Sequence, residues 1–213
     1  MILRRTNMSF NGFTNDDFQV FQIEGLDARM EALKTLIRPK LEELGRHFSP
    51  TLSVLTGDEM FPHVAKHARR TINPPNDTWV AFANNKRGYK KYPHFQIGLW
   101  ETHLFIWYAV IYEAPNKDHI GKTFESKFRQ IRDIIPRDFV WSSDHTKPFA
   151  SRMDGLTDDE LLNLFQRLQS VKKAEILCGF HISREEAVKL SGSDLIEKIH
   201  DVFVKLVPLY KFS

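Results

Sequence analysis

His94-Phe95-Gln96-Ile97-Gly98-Leu99-Trp100 is followed, after Glu101-Thr102-His103, by Leu104-Phe105-Ile106-Trp107-Tyr108-Ala109-Val110-Ile111-Tyr112, and this stretch decides the fold. In the first segment Phe95, Ile97 and Leu99 alternate with other residues, which puts them on one face of a strand. The second is apolar at every position, as a central strand covered on both sides would be. Its nine residues fall well short of the ~20 needed to cross a bilayer. A three-residue connection makes the two an antiparallel hairpin across Glu101-Thr102-His103.

Working outward, Thr78 to Ala83 is a further strand. Asn73-Pro74-Pro75-Asn76-Asp77 bounds it on one side and Asn84-Asn85-Lys86-Arg87-Gly88 on the other. On the N-terminal side, Thr14-x-x-Asp17 opens a short capped turn or helix. Asp27 to Leu44 follows as a helix, with Met30, Leu33, Ile37, Leu41 and Leu44 on one face and Gly45 as its stop. Pro39 inside that span implies a kink or two shorter helices. On the C-terminal side, Lys122 to Ile135 has helical spacing and Phe139-Val140-Trp141 is a short strand. Thr157-Asp158-Asp159-Glu160 is a capping box opening a helix through Leu168. Ala174 to Ile182 is a strand and Ser193 to Leu206 a helix. Helices thus flank a central run of strands. The fold class is α+β: a single domain with a central, largely antiparallel sheet, a mixed one being the alternative, covered by helices from the N- and C-terminal thirds. Residues 1–12 read as a disordered extension and 13–213 as the domain.

Composition is that of an ordinary globular chain: 213 residues, 42% apolar, 27% charged, net charge +3. The single cysteine, Cys178, excludes an intramolecular disulfide and fits the reducing cytoplasm. Its apolar setting makes it a buried structural thiol rather than a nucleophile. Met1-Ile2-Leu3-Arg4-Arg5 is not followed by the apolar core of a signal peptide. The expected location is cytoplasmic, with no membrane partner.

Several segments resemble the YktB-like family of uncharacterised cytoplasmic proteins from low-GC Gram-positive bacteria. They include Gly25-Leu26-Asp27-Ala28-Arg29-Met30-Glu31-Ala32-Leu33, Phe61-Pro62-His63-Val64-Ala65-Lys66-His67-Ala68-Arg69-Arg70, Asn73-Pro74-Pro75-Asn76-Asp77-Thr78-Trp79, Lys86-Arg87-Gly88-Tyr89-Lys90-Lys91 and Leu206-Val207-Pro208-Leu209-Tyr210. The resemblance runs from Phe13 to Phe212. It implies an α+β domain and brings no activity, cofactor or catalytic residue with it.

The strongest functional signal is a charge imbalance. Between His63 and His94 stand seven basic residues (Lys66, Arg69, Arg70, Lys86, Arg87, Lys90, Lys91) and one acidic residue, Asp77, a local balance of +6 in a chain of +3. A basic island on a mildly acidic body suits a polyanion, and Trp79, Tyr89 and Tyr92 add stacking surfaces. The plain alternative is solvated loop charge that deters sheet-edge pairing. The leading expectation is contact with nucleic acid or another phosphate-bearing polymer. The alternative is an enzyme acting on a small phosphorylated substrate with a histidine acid/base, drawn from His67, His94, His103 and His145, with Glu101 nearby. Oligomeric state is not legible. His63-x3-His67 has the spacing of a zinc helix but carries Val64 where the metalloprotease glutamate would stand. The segment also alternates like a strand, which would hold the two rings about 13 Å apart; no metal and no cofactor are expected. For a polymer ligand, single-strand binding weakens with salt by about 0.7 log units per log unit of salt for each phosphate. Lys86→Ala with Arg87→Ala should therefore flatten a salt titration by about 1.4 if both touch phosphate.

Overall fold

The computed structural model describes residues 10–213. Of the expected disordered extension, 1–9 lie outside the described residues, whereas Phe10 is buried with its ring edge-on to Phe13 at 5.5 Å. The packed body therefore includes Phe10.

The chain opens with α1 (Asn15–Gln19), where the Asp17 carboxylate accepts from the Thr14 N–H at 2.7 Å and closes the capping box. Then come α2 (Leu26–Ala32), a π turn over Leu33–Ile37, and α3 (Arg38–Thr56). The π turn answers the expected kink. Pro39 has no N–H to donate back into the preceding turn, and the backbone there widens instead of breaking. The expected stop at Gly45 is corrected. Gly45 lies buried inside α3, where a Cβ would come within 3.1 Å of the Pro62 side chain. The helix ends at Gly57, which takes the left-handed conformation (φ 88°).

The strands follow as β1 (Phe61–Val64), β2 (Asp77–Ala83), β3 (His94–Trp100) and β4 (His103–Val110). After α4 (Lys117–Ser126) and α5 (Phe128–Ile134), which correct the single helix expected over Lys122–Ile135, come β5 (Val140–Ser142), β6 (Ser151–Arg152) and α6 (Asp158–Ser170). β7 (Ile176–Ser183), α7 (Arg184–Ala187) and α8 (Gly192–Lys211) complete the fold. The sheet runs β1-β2-β3-β4-β7-β5-β6 and every pairing is antiparallel. The hairpin register sets Leu99 opposite Leu104, as its short turn demands. No helix among the described residues is long and apolar enough to cross a membrane.

One sheet face carries Phe82, Phe95, Ile97, Leu104, Ile106 and Tyr108 and packs against the helices. Phe203 of α8 is its hub, edge-on to Phe48 of α3, Phe82 and Phe95. The other face has its own smaller cluster, built on Trp100, Phe105, Trp107 and Leu177 with Trp79 packed against it. Every residue of β3 and β4 is buried, so both faces are covered. On this second face two glycines make room for aromatic rings. Gly98 stands opposite Phe105 and Trp79, and Gly179 opposite Trp107. A Cβ on Gly179 would collide with the Ile106 carbonyl and the Trp107 ring. Gly179→Ala should therefore cost about 1–3 kcal/mol by overpacking. In urea unfolding this appears as a lower midpoint at unchanged slope; an unchanged midpoint would show that the strand shifts freely.

Candidate functional site

Three segments bound the second sheet face: the run from β1 to β2, the loop from β2 to β3, and the loop from β5 to β6. The first holds a turn in which the Arg70 N–H donates to the His67 carbonyl at 3.0 Å. His67 is the one non-glycine described residue with positive φ, 51°. Such backbone costs energy unless its surroundings hold it. Here the imidazole packs edge-on to Trp79 at 5.5 Å, with Nε2 3.3 Å from the Thr78 hydroxyl. Burial, with help from the Arg70 and Arg38 charges, lowers its pKa to about 4, so the ring is neutral at pH 7.

The β2–β3 loop folds back along the same face. Trp79 Nε1 donates to the Tyr89 hydroxyl at 3.0 Å, and the Tyr89 ring meets His94 at 4.9 Å and His63 at 5.8 Å. These contacts bring Lys90 beside the 65–70 turn. A cleft of about 590 Å³ results, with Lys66, Arg69, Arg70 and Lys90 on its rim and His67, Trp79 and Tyr89 in its wall. Glu113 also lines it and pairs with Lys90 at 3.1 Å. Lys66, Arg69 and Arg70 have no ion-pair partner among the described residues. Lys86, Arg87 and Lys91 are exposed and stand off the cleft, with the Lys86 ammonium 5.2 Å from the centre of the Phe61 ring. The basic window is thus divided: four of its seven cations share one cleft and three do not.

The histidines are equally divided. His63 Nε2 lies 2.8 Å from the Asn85 carbonyl, and its ring faces Tyr89. His94 is fully buried and uses both nitrogens, Nδ1 with the Tyr92 carbonyl at 2.8 Å and Nε2 with Gln96 at 2.9 Å. Burial lowers its pKa to about 4, and no nitrogen is left for a ligand. Glu101 is exposed and accepts from the Gln22 amide at 2.7 Å.

His145 is different. β5 runs beside β7 with Ser142 opposite Leu177, so the turn after β5 reaches Glu175, the residue before β7. There the buried Glu175 carboxylate accepts from the His145 N–H at 3.0 Å and from its ring Nδ1 at 2.7 Å. Burial alone would lower the His145 pKa. The hydrogen bond and charge of Glu175, with the fields of Asp77 and Asp144, outweigh it and raise the value. Asp77 lies within electrostatic reach of both His145 and Arg70, and burial lifts its pKa to about 6. Glu175 escapes a sequence reading: it looks like an ordinary acidic residue ahead of an apolar strand, and only the β5–β7 pairing shows its partner.

His103 lies elsewhere, at the far end of β4. Its ring stacks on His181 with centres 4.0 Å apart, and the buried Nε2 of each has no hydrogen-bond partner. Burial lowers their pKa values to about 4 and about 3. Each folded-state value lies below the ~6.5 of an unfolded histidine, so between pH 6.5 and 4 the unfolded chain gains protons that the folded chain refuses. His47, His67 and His94 act in the same sense; Asp77 and His145, with raised values, act in the opposite sense. Five groups outweigh two, so thermal stability should fall as pH drops from 6.5 to 4.5. His181→Leu should make that fall shallower, and a melting temperature flat or rising toward acid would refute this account.

Comparison with known proteins adds the lineage. A family model described as a domain of unknown function, DUF1054, matches residues 13–210. A UPF0637 protein of Bacillus velezensis is 58% identical over 201 residues, covering 94% of this chain and 96% of that one. A UPF0637 protein of Bacillus licheniformis is 57% identical over 206 residues, 97% and 98% of the two chains. One from Bacillus mycoides is 50% identical over 203 residues. With a match over nearly its whole length and relatives above half identity, the chain belongs to the DUF1054 family, the group its sequence resembles.

Proposed function

We propose that the cleft beside His67 binds a small phosphorylated ligand that carries a planar group, in the cytoplasm. One observation carries this reading: Lys66, Arg69, Arg70 and Lys90 border a single cleft walled by Trp79 and Tyr89. Four cations against one carboxylate, Glu113, leave an excess of three positive charges at a concave surface. Arginine forks match phosphate oxygens in pairs, and the aromatic wall offers a base or ring a stacking surface. A polymer would use an extended track, yet Lys86, Arg87 and Lys91 stand apart from the cleft. The compact ligand is therefore favoured over nucleic acid. Cys178, buried and free, is compatible with a reducing compartment.

The test is a titration at low salt, following tryptophan fluorescence and heat, with inorganic phosphate, a nucleoside monophosphate and a 12-nucleotide single strand. The expected result is saturable 1:1 binding of the nucleotide with quenching of Trp79. Arg69→Ala and Arg70→Ala should each weaken it about 10- to 100-fold, the worth of a charge-assisted hydrogen bond of roughly 1.5–3 kcal/mol. Lys86→Ala with Arg87→Ala should leave it unchanged. If the strand binds tighter than the nucleotide and the Lys86/Arg87 variant weakens it, the polymer reading replaces this one. If none of the three binds, both fail.

A further inference from the structure

We propose that Asp144, His145 and Glu175 form a binding site for a divalent first-row metal ion of the zinc or manganese kind. The argument begins with placement. The turn after β5 and the residue before β7 converge because those strands pair, and one donor atom from each of the three side chains lies within 4.8 Å of the other two. An ion at the centre of such a triangle is at most about 2.8 Å from each donor. Shifts of about 0.7 Å bring all three to the ~2.0–2.2 Å of a zinc bond to nitrogen or oxygen.

The donors are also oriented. Asp144 Oδ1 is held by the Thr146 N–H at 2.8 Å and the Thr146 hydroxyl at 2.6 Å, which fixes the carboxylate and leaves Oδ2 as its available ligand atom. Glu175 is 5% exposed, and its Oε1 faces the Tyr112 N–H at 3.4 Å. Buried carboxylates need a paired charge or a metal. In the apo protein the Nδ1 proton of His145 fills this role, lying between Nδ1 and Glu175 Oε2. A metal ion would take the place of that proton, so loading releases it.

Electrostatics agree. The carboxylates of Asp77, Asp144 and Glu175 all act on His145. Of the nearby cations, the Lys117 ammonium is spent on the Leu168 and Val171 carbonyls at 3.3 and 2.6 Å, and Lys147, which is exposed, acts on Asp144 through its charge. Two carboxylates and one imidazole are hard to borderline donors, which suit zinc and manganese and disfavour copper(I). Three protein ligands leave coordination positions open, the pattern of a site that works on a bound water or ligand. This site uses none of the cleft cations, so it does not depend on the phosphate reading.

The experiment is calorimetric titration of EDTA-stripped, full-length protein with zinc chloride and with manganese chloride, in two buffers of different ionisation enthalpy. The expected result is one ion per chain for at least one of the two metals, with proton release. Asp144→Asn and Glu175→Gln should each weaken it at least tenfold, whereas Arg69→Ala with Arg70→Ala should leave it unchanged. Glu175 is buried, so circular dichroism accompanies that variant. Should it fail to fold, Asp144→Asn, on the partly exposed turn, decides the question. No stoichiometric binding of either metal, or binding that both carboxylate variants retain in full, overturns the proposal. The second result would place the ion on other side chains.

Discussion

Complete burial of both faces of β3 and β4 is the constraint from which the rest of the structure follows. The helices serve only one face, where aromatic rings from α3, α8 and two strands meet around Phe203. The other face is closed by aromatic rings laid over glycines and by three connecting segments. Connections bring polar backbone and polar side chains with them, and these cannot be buried unpaired. The second face is therefore where His63, His67, His94, His103, His145 and His181 gather with the buried Glu175.

That requirement sorts the polar groups into two kinds. Some are consumed by the fold: His94 spends both nitrogens holding Gln96 and the Tyr92 carbonyl, and it stays neutral because burial makes its charged form costly. Others keep free capacity. His145 keeps Nε2, Asp144 keeps Oδ2, and Arg69 and Arg70 meet no carboxylate within ion-pair distance among the described residues. Groups with unspent bonding capacity at a concave surface are the ones available to a ligand. Asp77 lies in reach of Arg70 on one side and His145 on the other, so the two polar regions share one electrostatic neighbourhood.

Much of this was legible in the chain itself. Alternation in His94–Trp100 and the unbroken apolar run after it set two adjacent strands, their hairpin and the α+β class. The capping boxes at Thr14 and Thr157 start helices where the pattern placed them. These signals are local: a period of two or 3.6 residues, a cap, a turn residue. Gly45 shows where locality ends. A glycine after a run of leucines looks like a helix stop, yet here it answers a neighbour, the Pro62 side chain, that packs against α3 across the chain.

The sequence alone determined the element types, the antiparallel hairpin and a cationic window between His63 and His94. It did so because each depends on neighbours within a few positions. Only the tertiary structure decided which cations share a cleft, that Glu175 is the partner of His145, and that His103 belongs with His181. Each of those pairings spans tens of residues and is set by strand order and by loops folding back over the sheet. No local period records that, because the contact energy lies between side chains whose separation along the chain carries no information about their separation in space.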